Sequence, residues 1–316
     1  MPVTDGAYIG LDVGGTFLKG ARIDATGKVL SRLHEPIRKA TPAEILGQLA
    51  GAVEALEKEG GPALAVGVGL PGIVELTRGR VRTAPNVPAL DGLKVGEELE
   101  ARTGRASFTE NDANAAALAE AWLGAGRGAS HVLFVTLGTG VGGGLVFEGR
   151  IWMGRNGYAG EIGHIQVEPD GIPCGCGSWG CLETIAGVPG WARRAQILID
   201  SGRASTLAAK SFLDPQVIVE AARGDDAVAL EVVDGAARAI GVGVAAVLDL
   251  LNVDRVVIGG GIAAAGFFLL ERIAEETRRR TFPHVFADVT FRLAELGSDA
   301  GVVGASRVGM IGVGNG

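Results

Sequence analysis

All three cysteines of the chain, Cys174, Cys176 and Cys181, fall in one short segment, and His164 precedes them. One imidazole and three thiolates, with turn-forming glycines between them, make a tetrahedral zinc set. Four protein ligands leave no open coordination position, so such a metal shapes a loop rather than catalysing. The C-x-C spacing with a third Cys five residues on is not the C-x-x-C of redox sites. An odd, clustered set of thiols also argues against a disulfide framework. The plainer reading is a free histidine beside buried thiols. Glu161 and Glu183 flank the segment. Either they are ordinary exposed charges, or a metal-stiffened loop holds them as acceptors for sugar hydroxyls.

A second group is Glu110-Asn111-Asp112-Ala113-Asn114, polar residues ahead of a stretch built of Ala and Leu. Asn111 or Asp112 could cap a helix there. A carboxylate in that place could also orient an alcohol and take its proton during phosphoryl transfer. Three glycine turns complete the set: Asp12-Val13-Gly14-Gly15-Thr16, the run 137–144, and 258–262. Glycine allows positive φ and lets backbone N–H groups approach an anion. Two such turns from corresponding halves would clamp a polyphosphate, with Asp12 placed to hold Mg²⁺ through water. The competing reading is ordinary hairpin turns, and no Walker pattern is present.

These groups need elements to position them. Residues 8–13, 17–24 and 29–33 read as a strand meander, followed by a helix opened by the Thr41-Pro42-Ala43-Glu44 capping box. Strands at 63–70 and 106–109 alternate with helices at 93–102 and 112–123. The plan restarts with strands at 131–137 and 143–147, a third expected at 165–167, several helices between 189 and 251, strands at 255–258 and 289–293, and helices at 267–279 and 300–308. A meander followed by alternating helices and strands, twice over, is a duplicated α/β architecture. The 316 residues suit about two domains.

Net charge is −7 with no basic run longer than Arg278-Arg279-Arg280, so no nucleic-acid footprint is present. The uncharged stretch 128–147 holds six glycines and reads as strand, turn, strand rather than a membrane span. No export signal is apparent, which makes the cytoplasm the default compartment. The 52 glycines are more than twice the roughly 22 that the usual share of about 7% would give, so roughly 30 of them need a reason.

Taken together, the motifs resemble the ROK family of sugar kinases and repressors over nearly the whole chain. The resemblance is carried by Leu137-x-x-Gly140-Val141-Gly142-x-Gly144-Leu145, Gly154, Gly160-Glu161-Ile162-Gly163-His164, the Cys174-x-Cys176-Gly177-x-x-Gly180-Cys181-x-Glu183 loop, the first glycine turn and Glu110–Asn114. It implies an actin-like (ribonuclease H-like) duplicated two-domain ATPase fold with an interdomain cleft. Residues 1–111 would form a small α/β domain, with a C-terminal helix at about 299–312 returning to it. Residues 112–298 would form a large α/β domain with the zinc loop.

The implied reaction is transfer of the ATP γ-phosphoryl group to a hexose, as in glycolysis, with Asp112 as base. Sugar contacts would fall on Gly72, Asn86, Asn111, Asp112, Glu161, His164 and Glu183. Phosphate and Mg²⁺ contacts would fall on Asp12, Gly14, Gly15, Thr16, Lys19, Gly138 and Thr139, and adenosine contacts on Gly260 and Gly261. The structural zinc would be held by His164, Cys174, Cys176 and Cys181, and the family expectation is a homodimer. Two departures matter: residues 184–189 differ from glucokinase-like members, and Lys19 follows Thr16 by three positions, a spacing shared with polyphosphate-using relatives. Those usually lack the Cys triplet, which favours ATP. Glucose is the expected acceptor; N-acetylmannosamine, N-acetylglucosamine, mannose or fructose, and a non-catalytic sugar sensor, are the alternatives. Repressors of the family carry a helix-turn-helix ahead of the first turn, and only eleven residues precede Asp12.

Overall fold

The computed structural model describes residues 6–58, 60–75 and 80–314. Its elements run β1 (Ala7–Val13), β2 (Phe17–Asp24), β3 (Val29–Pro36), α1 (Pro42–Lys58), β4 (Val66–Leu70), β5 (Ile73–Glu75), β6 (Arg80–Thr83), α2 (Val95–Thr103), β7 (Ser107–Asn111) and α3 (Asp112–Trp122). After these come β8 (His131–Leu137), β9 (Val141–Phe147), β10 (Arg150–Ile151), α4 (Leu182–Ala186), α5 (Val188–Asp200), α6 (Pro215–Arg223) and α7 (Ala227–Leu251). The chain ends with β11 (Arg255–Gly259), α8 (Phe267–Arg278), α9 (Pro283–Ala287), β12 (Thr290–Leu293) and α10 (Ala300–Gly314). Two compact units result: residues 1–127, 144–160 and 296–316, and residues 128–143 and 161–295.

In the first unit the sheet order is β3-β2-β1-β4-β7. β1 pairs antiparallel with β2 and parallel with β4, which pairs parallel with β7, so the meander feeds a parallel sheet. β1 and β4 are apolar almost throughout, as strands covered on both faces are. α1 starts at the expected capping box: the Glu44 N–H donates to the Thr41 hydroxyl at 3.2 Å, and the Thr41 N–H donates to the Glu44 carboxylate at 3.0 Å. Its Ile45, Leu49, Val53 and Leu56 join Ile9, Leu11, Leu18 and Val68 in one buried core.

The other side of this sheet is closed by α10, and here much of the glycine excess finds its reason. A Cβ on Gly67 would lie 1.7 Å from the Ala305 carbonyl, and one on Gly10 would lie 1.9 Å from the Val302 carbonyl. Facing α3, a Cβ on Gly304 would lie 1.7 Å from the Ala115 carbonyl. Backbone meets backbone along α10 because those side chains are missing. Gly67→Ala is therefore expected to destabilise the protein by about 1–3 kcal/mol or more, since neither backbone can give way locally. A fall in melting temperature measures it, and an unchanged value would rule out the close approach.

The second sheet has the order β10-β9-β8-β11-β12, with β11 parallel to both β8 and β12. The same plan thus appears twice. One expected strand is absent: residues 165–167 contribute only an isolated bridge, Gln166 to Cys181, and the outer position of the sheet is taken by β10. The reason is local, because the backbone here bonds to the cysteine segment instead, with the Val167 N–H donating to the Gly180 carbonyl at 2.9 Å. The β5–β6 hairpin was not foreseen, its strands being too short to show a period. Among the described residues no helix is long and apolar enough to cross a membrane.

Candidate active site

In the first unit, Asp12, the next-to-last residue of β1, lies opposite Lys19 on β2, and Gly14-Gly15-Thr16 makes the turn between the strands, the Gly14 N–H donating to the Phe17 carbonyl at 2.9 Å. Neither Gly14 nor Gly15 uses positive φ. At Gly14 what glycine supplies is room, since a Cβ there would sit 3.0 Å from the Phe17 carbonyl, whereas a Cβ on Gly15 would make only ordinary contact, 3.5 Å from Asn86 Cβ. Lys19 reaches the Ser298 carbonyl at 3.5 Å.

A Cβ on Gly301 would stand 2.4 Å from the Asp12 carboxylate, so the start of α10 presses on that acid. Burial raises the Asp12 carboxyl above its ordinary value, and the Lys19 charge only partly opposes this. The folded chain then holds this proton more tightly than the unfolded chain, so stability falls as pH rises from the ordinary carboxylate value through the raised one. In metal-free protein Asp12→Asn is expected to raise the melting temperature at pH 8, with the gain shrinking toward pH 4. Equal melting temperatures at both pH values would contradict a buried charge.

At the β7–α3 junction, Asn111 is the helix cap. Its Oδ1 accepts from the Ala113 N–H at 2.9 Å and the Asn114 N–H at 3.1 Å, and its Nδ2 donates to the Gly72 carbonyl at 2.8 Å. The capping alternative thus goes to Asn111, and Asp112 sits in the first helical turn, its Oδ1 accepting from the Ala113 N–H at 2.8 Å. Behind them Glu110 is buried and accepts from the Asn111 N–H and from Asn114 Nδ2, at 2.9 and 3.0 Å. Burial raises its carboxyl well above the ordinary value despite those bonds. Gly72 has φ +88° with its Cα against Thr83, where a Cβ would meet the carbonyl at 2.0 Å. The segment that follows leads to Asn86, whose carbonyl receives the Lys39 ammonium at 3.2 Å. Lys39 also donates to the Gly15 carbonyl. Lys39 escapes a sequence reading because its partners lie far along the chain.

In the second unit, the ligand atoms of His164, Cys174, Cys176 and Cys181 all lie within 4.8 Å of one another. Zn–S bonds of about 2.3 Å and a Zn–N bond of about 2.0 Å set tetrahedral edges of about 3.8 Å between sulfurs and about 3.5 Å between sulfur and nitrogen. The chain shows 3.7 Å between the Cys176 and Cys181 sulfurs and 3.6 Å between Cys174 Sγ and His164 Nδ1. These residues fit zinc. The buried Cys181 thiol is pushed up to about 12 by burial and its sister thiols, whereas the Ser178 backbone N–H lowers that of exposed Cys176.

With Nδ1 on the cluster, His164 turns Nε2 toward Glu161, 3.9 Å from its carboxylate. Burial raises the Glu161 carboxyl, the nearby His164 lowers it and the Glu183 charge raises it again. Glu183, in the first turn of α4, accepts from the Val141 N–H at 3.1 Å. A Cβ on Gly140 would lie 2.1 Å from that carboxylate, and one on Gly163 would lie 1.9 Å from the Val141 carbonyl. Glu161, His164 and Glu183 are thus brought together around one loop.

The second and third glycine turns also meet. Gly260, with φ +86°, lies so close that a Cβ would come 2.3 Å from the Leu137 carbonyl at the end of β8. A Cβ on Gly138 or Gly261 would meet nothing within 4 Å, so both turns keep an open face. Thr139 is held by its backbone against Gly187, where a Cβ would lie 2.8 Å from the Thr139 carbonyl.

The family model described as ROK matches residues 8–309. A glucokinase of Halalkalibacterium halodurans is 40% identical over 312 residues, covering 96% of this chain and 94% of the relative. Among solved structures, a ROK hexokinase from Thermus thermophilus superposes with a TM-score of 0.86 at 35% identity, over 98% of this chain and 100% of the other. A ROK family glucokinase from Streptomyces griseus, in complex with glucose and AMPPNP, superposes with a TM-score of 0.80 at 34% identity, over 97% of this chain and all of the other.

Proposed function

This chain belongs to the ROK family and has the actin-like ATPase fold of its sugar kinases, and we propose that it is an ATP-dependent glucokinase. The observation that carries the sugar is the loop on which the Cys₃His cluster holds His164 with Nε2 toward Glu161, while Glu183 is fixed by the Val141 N–H. Two carboxylates and an imidazole edge, stiffened together, suit an array of hydroxyls better than a flat or charged ligand. Zinc, when bound, supplies no acid or redox chemistry there and fixes the tautomer and direction of His164.

In this proposal the 6-hydroxyl of glucose attacks the γ-phosphorus of ATP. Asp112 accepts the hydroxyl proton as the new P–O bond forms and the bond to the β-phosphate oxygen breaks, releasing ADP. Asn111 serves as helix cap and sugar contact at once, with Gly72 and Asn86 beside it in the first unit. Gly14, Gly15 and Thr16 present backbone and hydroxyl donors to phosphate, Lys19 adds its charge, and Asp12 holds the water shell of the Mg²⁺ that accompanies ATP. In the second unit Gly138 and Thr139 take phosphate, and Gly260 and Gly261 leave room for adenosine.

The deciding experiment is an ADP-release screen over hexoses and N-acetylhexosamines, repeated with polyphosphate as donor. Glucose with ATP is expected to give the highest kcat/KM. Preference for N-acetylmannosamine, N-acetylglucosamine, mannose or fructose would move the assignment within sugar kinases, and no turnover with any sugar would favour a sensor that binds without catalysis.

A further inference from the structure

Lys39 lies in the loop between β3 and α1, exposed to solvent, yet its ammonium donates to two carbonyls, those of Gly15 and Asn86. An exposed side chain held this way gives up rotamer freedom for little stability in return. Stability therefore does not account for it, and its two partners suggest what does. Gly15 belongs to the turn assigned above to donor phosphate, and Asn86 to the segment assigned to sugar.

The Asn86 segment is itself tied to the helix that carries Asp112. The Val87 N–H donates to the Ala84 carbonyl at 2.8 Å, and the Ala84 N–H donates to the Asp91 carboxylate at 2.7 Å. Gly72 packs against Thr83 and Ala84, and its carbonyl is held by the Asn111 cap. Within the first unit a continuous set of contacts thus runs from the start of α3 to residue 86, and Lys39 joins its end to the glycine turn.

We infer that Lys39 is a positioning residue that fixes the phosphate turn and the sugar-side segment at one spacing before either substrate arrives. The functional half of this inference rests on the kinase reading. Ordering done in advance need not be done on binding, so its loss is felt in both substrates.

The test compares full-length Lys39→Met and Lys39→Arg with the unaltered protein. In Lys39→Met, kcat/KM for ATP and for sugar are both expected to fall about tenfold, with the melting temperature unchanged. Lys39→Arg, whose fork can also reach two carbonyls, recovers most of the loss. Amide hydrogen exchange in peptides covering 12–17 and 84–88 is expected to quicken in Lys39→Met alone. Kinetics within twofold of the unaltered protein would overturn the positioning role, and unchanged exchange in both peptides would overturn the staple itself. If the unaltered protein turns over no sugar, the kinase reading fails by itself, and hydrogen exchange still decides whether Lys39 joins the two segments.

Discussion

Asp112→Asn is expected to lower kcat by roughly 10² to 10⁴-fold while KM for the sugar stays within a few-fold, because a general base acts mainly on the transition state. At about 1.4 kcal/mol per decade that is about 3–6 kcal/mol of barrier. The same substitution removes a charge from the first turn of α3, but a carboxylate near a helix N-terminus contributes only about 0.3–1 kcal/mol. The cap itself survives, since Asn111 Oδ1 still accepts from the Ala113 and Asn114 N–H groups when the Asp112 acceptance from Ala113 is altered. A large kinetic loss with a nearly unchanged melting temperature is therefore the signature of the role. Turnover close to that of the unaltered protein would remove Asp112 from it. A parallel collapse in melting temperature would make it structural instead.

Cys181→Ser is expected to reduce zinc from about one per chain to near none and to raise KM for the sugar more than tenfold. Structural zinc in small domains is worth about 10–16 kcal/mol, far more than the one buried thiol deleted. Cys181 anchors the loop from its base, fully buried just ahead of α4, whose first turn carries Glu183. Losing the metal frees His164 and Glu183 together, so sugar affinity falls with zinc content. In the absence of metal Cys181 keeps its proton up to about pH 12, and zinc must displace it. Affinity for zinc is thus expected to rise with pH, and chelators to strip the protein faster as pH falls. Elemental analysis beside sugar kinetics decides the matter: zinc-free protein with an unaltered KM would break the link.

Local chemistry made some features legible in advance and long-range packing hid others. The Thr41–Glu44 capping box, the Asn111 entry to α3 and the Cys₃His spacing announce themselves because their partners lie within a few residues or in a recognised metal pattern. Residues 165–167, expected as a third strand, form none because the cysteine segment claims their backbone. Strands as short as β10 carry no period to read. Of the two uses of glycine expected in the first turn, positive φ is absent at both Gly14 and Gly15, and the missing side chain matters at Gly14, where a Cβ would crowd the Phe17 carbonyl. Nothing in the residues around Gly312 hints at its role, which is to make way for Phe108, 2.5 Å from where a Cβ would lie. Lys39 lay outside any motif, for its two partners come from different loops.

The glycine seam of α10 also governs the order in which the molecule can be made. During synthesis, domains generally fold from the N-terminus as they emerge from the ribosome. Residues 128–143 and 161–295 have all been translated before α10 exists. The strands β1 and β4 are made more than two hundred residues before α10, yet Gly10 and Gly67 receive their covering from that helix. The first unit, begun before the second, is finished after it, and its nascent sheet waits with one face bare until residues 300–314 have been translated. A transcript cut short before residue 300 yields a chain with an exposed apolar sheet, a natural client for chaperones and proteases.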